Sequence, residues 1–233
     1  MVYKRINLTR LLATITPATC LLCDARTDTG RPLCTTCRED LPAITDACIR
    51  CGRPLQENGV CAACLRNPPL FDHAIMAYTY EYPLADLIKA LKYRHTLLVA
   101  RELGETLAEC IHRSALPLPD SIVPVPLHQH RLFSRGFNQA LEIARVLSKR
   151  LQIPVDYRLT GRARSTIPQF GLSPRARRRN VKDAFRLMRT PGYRSVAIVD
   201  DIVTTGATVN ELSALLKRAG VEEIGIWACA RAV

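Results

Sequence analysis

The chain is predicted to fold as an α/β domain with a mostly parallel sheet, preceded by two small cysteine-built ribbons. Three observations carry that prediction. Eight of the ten cysteines fall within residues 20–64, always as C-x2-C pairs. Beyond them, short apolar strand patterns alternate with amphipathic helical ones, as in a sheet covered on both faces. The last strand-to-helix joint, VAIVDDIVTTGATVNE at 196–211, carries two adjacent acids and a threonine-rich turn.

The cysteine pairs are Cys20/Cys23, Cys34/Cys37, Cys48/Cys51 and Cys61/Cys64. The gap is ten residues in the first pair of pairs (24–33) and nine in the second (52–60). Two thiolates three positions apart on a tight turn face one ion, and a second such turn completes a tetrahedron. The spacing therefore points to two structural Zn2+ ions. Disulfides would need an oxidising compartment, and a redox C-x2-C accounts for one pair rather than four. Sequential pairing, Cys20, Cys23, Cys34 and Cys37 on one ion and Cys48, Cys51, Cys61 and Cys64 on the other, closes the shorter loops. An interleaved cross-brace is the alternative. A segment with so little apolar content needs its metal, whose binding is worth on the order of 10–16 kcal/mol in zinc-finger peptides. Cys110 and Cys229 lie in apolar helix-like and strand-like contexts and read as core residues.

Arg66-Asn67-Pro68-Pro69 ends regular structure. It divides a double ribbon at 1–67 from an α/β domain at 68–233. In that domain, 73–80 reads as a strand, and Pro83 opens a helix with Leu84, Leu87, Ile88 and Leu91 at helical spacing. A helix covers 97–113, a short strand 121–126, a helix 136–150, a short strand 155–159 and a basic helix begins at Ser173-Pro174. Residues 195–199 form a buried strand, 208–220 a helix closed by Gly220, and 224–230 the last strand. Ligands of such sheets bind at the carboxyl ends of the strands.

Charge narrows the partners. Lys and Arg number 33 against 21 acids, a net +12. Residues 158–194 hold eleven basic side chains and one acid, Asp183, a local balance of 11 − 1 = +10. Such a stretch repels itself unless an anion sits nearby, and it suits a phosphate backbone. No apolar run approaches the roughly 20 residues that span a bilayer. Residues 1–23 mimic a weak signal peptide, but Thr14, Thr16, Pro17 and Thr19 interrupt the apolar stretch. The expectation is a cytoplasmic protein without an integral membrane segment.

In the 196–211 stretch, Thr204, Thr205, Gly206, Ala207 and Thr208 lead straight into a helix. Small residues let a ligand approach the backbone, and successive N–H groups at a helix start attract an anion. No Lys follows the glycine, so this is not a G-x4-G-K-[ST] nucleotide loop. Asp200 and Asp201 would repel a bare phosphate. They suit a ligand with hydroxyls beside its phosphate, such as a ribose 5-phosphate, held directly or through Mg2+.

The stretch resembles the phosphoribosyl-pyrophosphate (PRPP) motif of type I phosphoribosyltransferases. The resemblance implies that Asp200 and Asp201 hold the ribose and residues 204–208 the 5-phosphate. In purine-salvage members the residue before the T-G pair is often an Asp acting as general base. Thr204 stands there, which argues against purine-base chemistry, though other transferases also lack the acid. Arg131 and Arg135, in PVPLHQHRLFSRGFNQ, fall on the loop that faces pyrophosphate in this fold, and Lys92 and Arg94 extend the anion site. Arg162, Arg164, Arg175, Arg178 and Arg179 fall where these proteins carry a hood over the site, and double as nucleic-acid contacts. Tyr93, Phe133, Phe137 and Phe170 are candidates for base stacking.

The ribbons, PPLFD, LKYR, RGFNQA, the R…Q…LS…R..N segment and VDDIVTTG, in this order, are similar to the competence protein F (ComF/GntX) family. That resemblance covers roughly 20 to 233. It implies a parallel-sheet type I phosphoribosyltransferase fold with an N-terminal double zinc ribbon. It also implies a cytoplasmic protein, peripheral to the inner membrane, that handles incoming single-stranded DNA with PRPP as ligand. Two other readings remain open: an active Mg2+-dependent phosphoribosyltransferase on an unidentified acceptor, and a zinc-ribbon adaptor among DNA-uptake proteins.

Overall fold

A computed structural model describes residues 19–27, 31–94, 96–164 and 174–233, without the side chains of 94, 174, 175, 177 and 178. The chain forms two compact units, 1–41 and 42–233. The first cysteine ribbon lies in the smaller unit and the second in the larger.

In the smaller unit a turn at Cys20–Cys23 is closed by Cys20 N–H donating to Ala25 O at 2.7 Å and Asp24 N–H to Cys20 O at 3.0 Å. A short helix α1 (Thr35–Glu39) follows with Cys34 as its N-cap.

The larger unit repeats that scheme and then builds the sheet. Cys48 N–H donates to Arg53 O and Gly52 N–H to Cys48 O, both at 2.8 Å. Helix α2 (Ala62–Arg66) starts from Cys61. There follow β1 (His73–Thr79), α3 (Leu84–Arg94), α4 (Leu97–Arg113), β2 (Ser121–Pro124), α5 (Gln129–Arg135) and α6 (Gln139–Leu151). Then come β3 (Thr160–Arg162), α7 (Pro174–Val181), β4 (Phe185–Leu187), β5 (Ser195–Val203), α8 (Ala207–Arg218) and β6 (Glu223–Arg231).

The main sheet runs β1-β6-β5-β2, parallel throughout, so the carboxyl ends of all four strands share one edge. Val196 and Ile198 of β5 and Ile224, Ile226 and Ala228 of β6 pack with Val209, Leu212 and Leu216 of α8. Helices α4 and α6 pack on each other and on the sheet. A Cβ on Gly104 would lie 2.8 Å from Val146 Cβ, so the glycine sets their close approach.

The free edge of β1 is covered by the second ribbon. Thr79 N–H donates to Pro42 O at 2.9 Å, Ile44 N–H to Ala77 O at 3.0 Å, and Ala74 N–H to Ile49 O at 3.0 Å. An exposed edge of a parallel sheet invites further pairing, and such backbone bonds block it.

Three expectations need adjusting. The strand expected at 155–159 is a single bridge, Val155 to Ile122. Beside it the buried Asp156 carboxylate accepts from Arg158 N–H, Arg189 and the Tyr193 hydroxyl. An antiparallel hairpin, β3–β4, follows instead. Residues 129–135, read as loop, form helix α5, and β5 continues three residues beyond the acid pair's start to Val203. Cys229 is buried as expected, whereas Cys110 is only half-buried.

Candidate functional site

The local sequence explains how the site is held. Gly136 adopts φ 71°, a left-handed value that suits glycine, and closes α5. Asn138 then caps α6 through Ala140 N–H at 3.0 Å, while its Nδ2 donates to Val125 O at 3.0 Å. The RGFNQ run thus ties the segment after β2 to the start of α6. Gly206, at φ 77°, does the corresponding work before α8.

Asp200 and Asp201 sit in the last turn-ward half of β5. Asp201 is 8% exposed, and its Oδ2 lies 2.5 Å from Lys92 Nζ on α3. That contact is a close ion pair. Asp200 Oδ1 accepts from Asp201 N–H at 2.9 Å.

The two acids respond oppositely. Burial, then the charge of Asp201, pushes the Asp200 carboxyl well above the usual carboxylate range. Burial also opposes the charge of Asp201, but Lys92 outweighs it and holds that carboxyl below its usual value. Lys92 is lowered by burial but raised further by Asp201.

Arg162 acts on Asp200, and Arg131 and Arg135 follow it in a row of like charges. Burial, then Arg131, brings the Arg162 guanidinium down to about 10, with Asp200 opposing. Burial, then Arg135, lowers Arg131. Arg135 stacks over the Tyr93 ring at 5.6 Å and its Nη1 reaches Gln139 Oε1 at 3.4 Å. Lys92 and Arg162 thus bring positive charge to the acid pair, which favours an anionic ligand beside it. Gln139, 3% exposed, has an Nε2 without an acceptor among the described residues. Beyond its place in RGFNQ, nothing in the sequence pattern marks this donor.

The anion loop is only partly engaged. Among the described residues the amides of Thr205 and Gly206 meet no protein acceptor, while Ala207 N–H lies 3.3 Å from Thr205 Oγ1. Thr204, Gly206, Ala207 and Thr208 are half-buried and Thr205 is exposed.

The basic segment is not one open strip. Arg162 stacks on Phe185 at 5.3 Å, and Arg164 donates to Asn180 O and Lys182 O at 3.1 and 2.8 Å. Arg189 is bound by Asp156 and Arg194 by Glu222, so acids from outside the segment relieve part of its repulsion. Arg179 is exposed. Arg175 and Arg178 lie on α7 with side chains outside the described residues, as does Phe170 altogether. Phe133 is 86% and Tyr93 69% exposed.

The cysteines form two clusters in sequential pairing, each with its four sulfurs within 4.8 Å of one another. Cys23 and Cys34 sulfurs are 3.7 Å apart and those of Cys51 and Cys61 3.8 Å. A tetrahedron with Zn–S of about 2.3 Å separates its sulfurs by about 3.8 Å, so both clusters fit zinc. Burial works against a Cys20 thiolate, but the amides of Cys34, Leu22 and Cys23 outweigh it and bring the thiol down to about 6. Cys48 is similarly brought to about 7, against its burial, by amides of Cys61, Cys51 and Arg50.

Among the described residues no helix is long and apolar enough to cross a membrane.

Known proteins share this organisation. The double zinc ribbon domain family matches residues 11–65, and the phosphoribosyl transferase domain family matches 138–232. Competence protein F of Haemophilus influenzae is 38% identical over 208 residues, covering 86% of this chain and 90% of that protein. DNA utilization protein YhgH of Escherichia coli is 37% identical over 221 residues, covering 92% and 97%. Competence protein ComFC of Bacillus subtilis is 26% identical over 211 residues, covering 82% and 85%.

Proposed function

This chain belongs to the competence protein F family, and we propose that it binds a phosphoribosyl ligand of the PRPP class while handling incoming single-stranded DNA in the cytoplasm, near the inner membrane. The observation that carries the ligand reading is the acid pair Asp200–Asp201, with Lys92 and Arg162 acting on it and Arg131 and Arg135 next to them, beside a loop whose Thr205 and Gly206 amides meet no acceptor among the described residues.

In this reading the amides of 204–208 and the start of α8 take the 5-phosphate. Asp200 and Asp201 accept from the ribose hydroxyls, directly or through Mg2+. Asp201 Oδ2, paired with Lys92, fits either role once that lysine moves to the ligand. Lys92, Arg131 and Arg135 meet the pyrophosphate, with Lys92 exchanging Asp201 for ligand oxygens. The DNA reading draws on the names of the relatives and on the exposed Arg164 and Arg179.

Calorimetric titration with PRPP and Mg2+, with and without a short single strand, tests both parts. Binding is expected in the wild type and its loss in Asp200→Asn/Asp201→Asn. No heat at millimolar PRPP sinks the ligand reading. Filter binding at about 50 mM salt, which favours non-specific contacts, is expected to retain single strands. No retention there sinks the DNA reading.

The intact acid pair favours a second reading, transfer of the phosphoribosyl group to an acceptor. Attack at C1′ would release pyrophosphate, whose charge Mg2+ and Arg131 or Arg135 would offset. Pyrophosphate release that needs Asp200 and Asp201 is its expected signature. Failure across nucleobases, amines and DNA ends removes it.

A further inference from the structure

Arg231 ends β6 and is 4% exposed, an unusual fate for an arginine. Its Nε donates to Cys51 O at 3.1 Å. Its Nη1 donates to Val203 O at 3.1 Å, to Ala232 O at 2.7 Å and, in close contact, to Thr204 O. One side chain thus joins the turn of the second cysteine cluster to the two residues that open the anion loop.

These acceptors are neutral carbonyls, and a buried cation needs a counter-charge. The second cluster is a source of one. Four thiolates around Zn2+ carry a net charge of about −2, and Arg231 is bonded to the backbone of Cys51 itself. The bonds also fix direction. In a trans peptide the N–H points opposite to the C=O of the same unit. Drawing the Val203 and Thr204 carbonyls towards Arg231 therefore turns the amides of Thr204 and Thr205 away from it, as a group, to the other side of the loop.

We propose that Arg231 is a positioning residue through which the metal state of the Cys48, Cys51, Cys61 and Cys64 cluster sets the loop at 203–208, and with it the affinity for a phosphate ligand. The affinity part rests on the phosphoribosyl reading above. With the cluster charged, the guanidinium stays inside and clamps both carbonyls. Without metal its counter-charge and its Cys51 anchor are lost together, and the loop amides lose their common direction.

The full-length, zinc-loaded protein is compared with Arg231→Gln, which removes the charge and the fork, and with Arg231→Lys, which keeps the charge alone. Three quantities are read: PRPP–Mg2+ affinity by calorimetry, zinc content by a chromophoric chelator, and amide exchange at 203–208 by mass spectrometry. Arg231→Gln is expected to retain zinc, weaken PRPP at least about fivefold, the lower end of ordinary coupling between sites, and speed exchange at 203–208. Partial chelation that empties the second cluster is expected to do the same to the wild type and to add nothing further in Arg231→Gln. Wild-type affinity and exchange in Arg231→Gln overturn the proposal, as do independent, multiplying effects of the variant and of chelation. Should Arg231→Gln fail to fold, Arg231→Lys decides by the same criteria. If the wild type binds no PRPP, the phosphoribosyl reading fails alone, and exchange at 203–208 still judges the coupling.

Discussion

The two ribbons use one backbone scheme in different surroundings. In each, the first C-x2-C turn is followed by a residue in the left-handed region, Asp24 at φ 58° in one and Gly52 at φ 66° in the other. Each is bracketed by an antiparallel bridge, Thr19 to Arg26 and Ala47 to Pro54. Asp and Gly both tolerate that conformation. Only the second position excludes a side chain for another reason: a Cβ on Gly52 would lie 2.4 Å from Met76 Cγ on β1. Burial differs in the same sense. Cys48, Cys61 and Cys64 are buried, whereas of the first cluster only Cys20 is. A metal turn can be a self-contained module or a structural part of a sheet, and the residue after its second cysteine records which.

The sharpest way to break this contrast is to remove each metal in turn. Cys48→Ser/Cys61→Ser is expected to lower the midpoint of the main cooperative unfolding transition clearly while leaving the unit folded at 25 °C, because the backbone bonds along β1 lose part of their support. Cys20→Ser/Cys37→Ser is expected to leave that transition in place. Calorimetry on both decides it, and equal losses would end the distinction. Next in size, Gly52→Ala is expected to cost about 1–3 kcal/mol in urea unfolding through overpacking against Met76. Asp24→Ala should cost about 1 kcal/mol at most, the left-handed preference alone, and in the smaller unit's transition. Equal costs would mean that Met76 yields.

The smallest effect serves as an internal control within the larger unit. A carboxyl raised in the folded state contributes stability below its unfolded value, near 3.9, and loses it as pH climbs through the folded value. Asp200 is raised by burial and by Asp201. Asp200→Asn should therefore raise the ligand-free Tm at alkaline pH, with a gain that shrinks towards pH 5. About 1 kcal/mol would read as 2–4 °C. The shift should appear in the transition that the second cluster controls. Its appearance elsewhere would blur the division into units.

Much of this was legible beforehand because it rests on local patterns. The alternation of elements gave a parallel sheet, Leu84, Leu87, Ile88 and Leu91 are all buried, and the cysteine spacing led to the observed clusters. Lys92, expected at an anion site, pairs with Asp201. What escaped depends on tertiary contact. Nothing periodic marks 42–49 as an edge cover for β1, since it makes isolated backbone bonds. Asp156 and Glu222 neutralise arginines distant in sequence. Arg231 had one faint signal, a charged residue closing the otherwise apolar run IGIWACA, whose meaning needed its partners.

The order of strands has a bearing on how the protein is made. Strand β1 leaves the ribosome early, yet its sheet partner is β6, and Asp72 and Ile224, which bond at that joint, are 152 residues apart. At synthesis rates of about 5–20 residues per second, the wait is roughly 8–30 s. Throughout it, a nascent chain whose second knuckle has already captured its ion shields one side of β1. A chain translated in zinc-starved cells has no such shield, and it should accumulate in the insoluble fraction even when the ion is restored after synthesis ends.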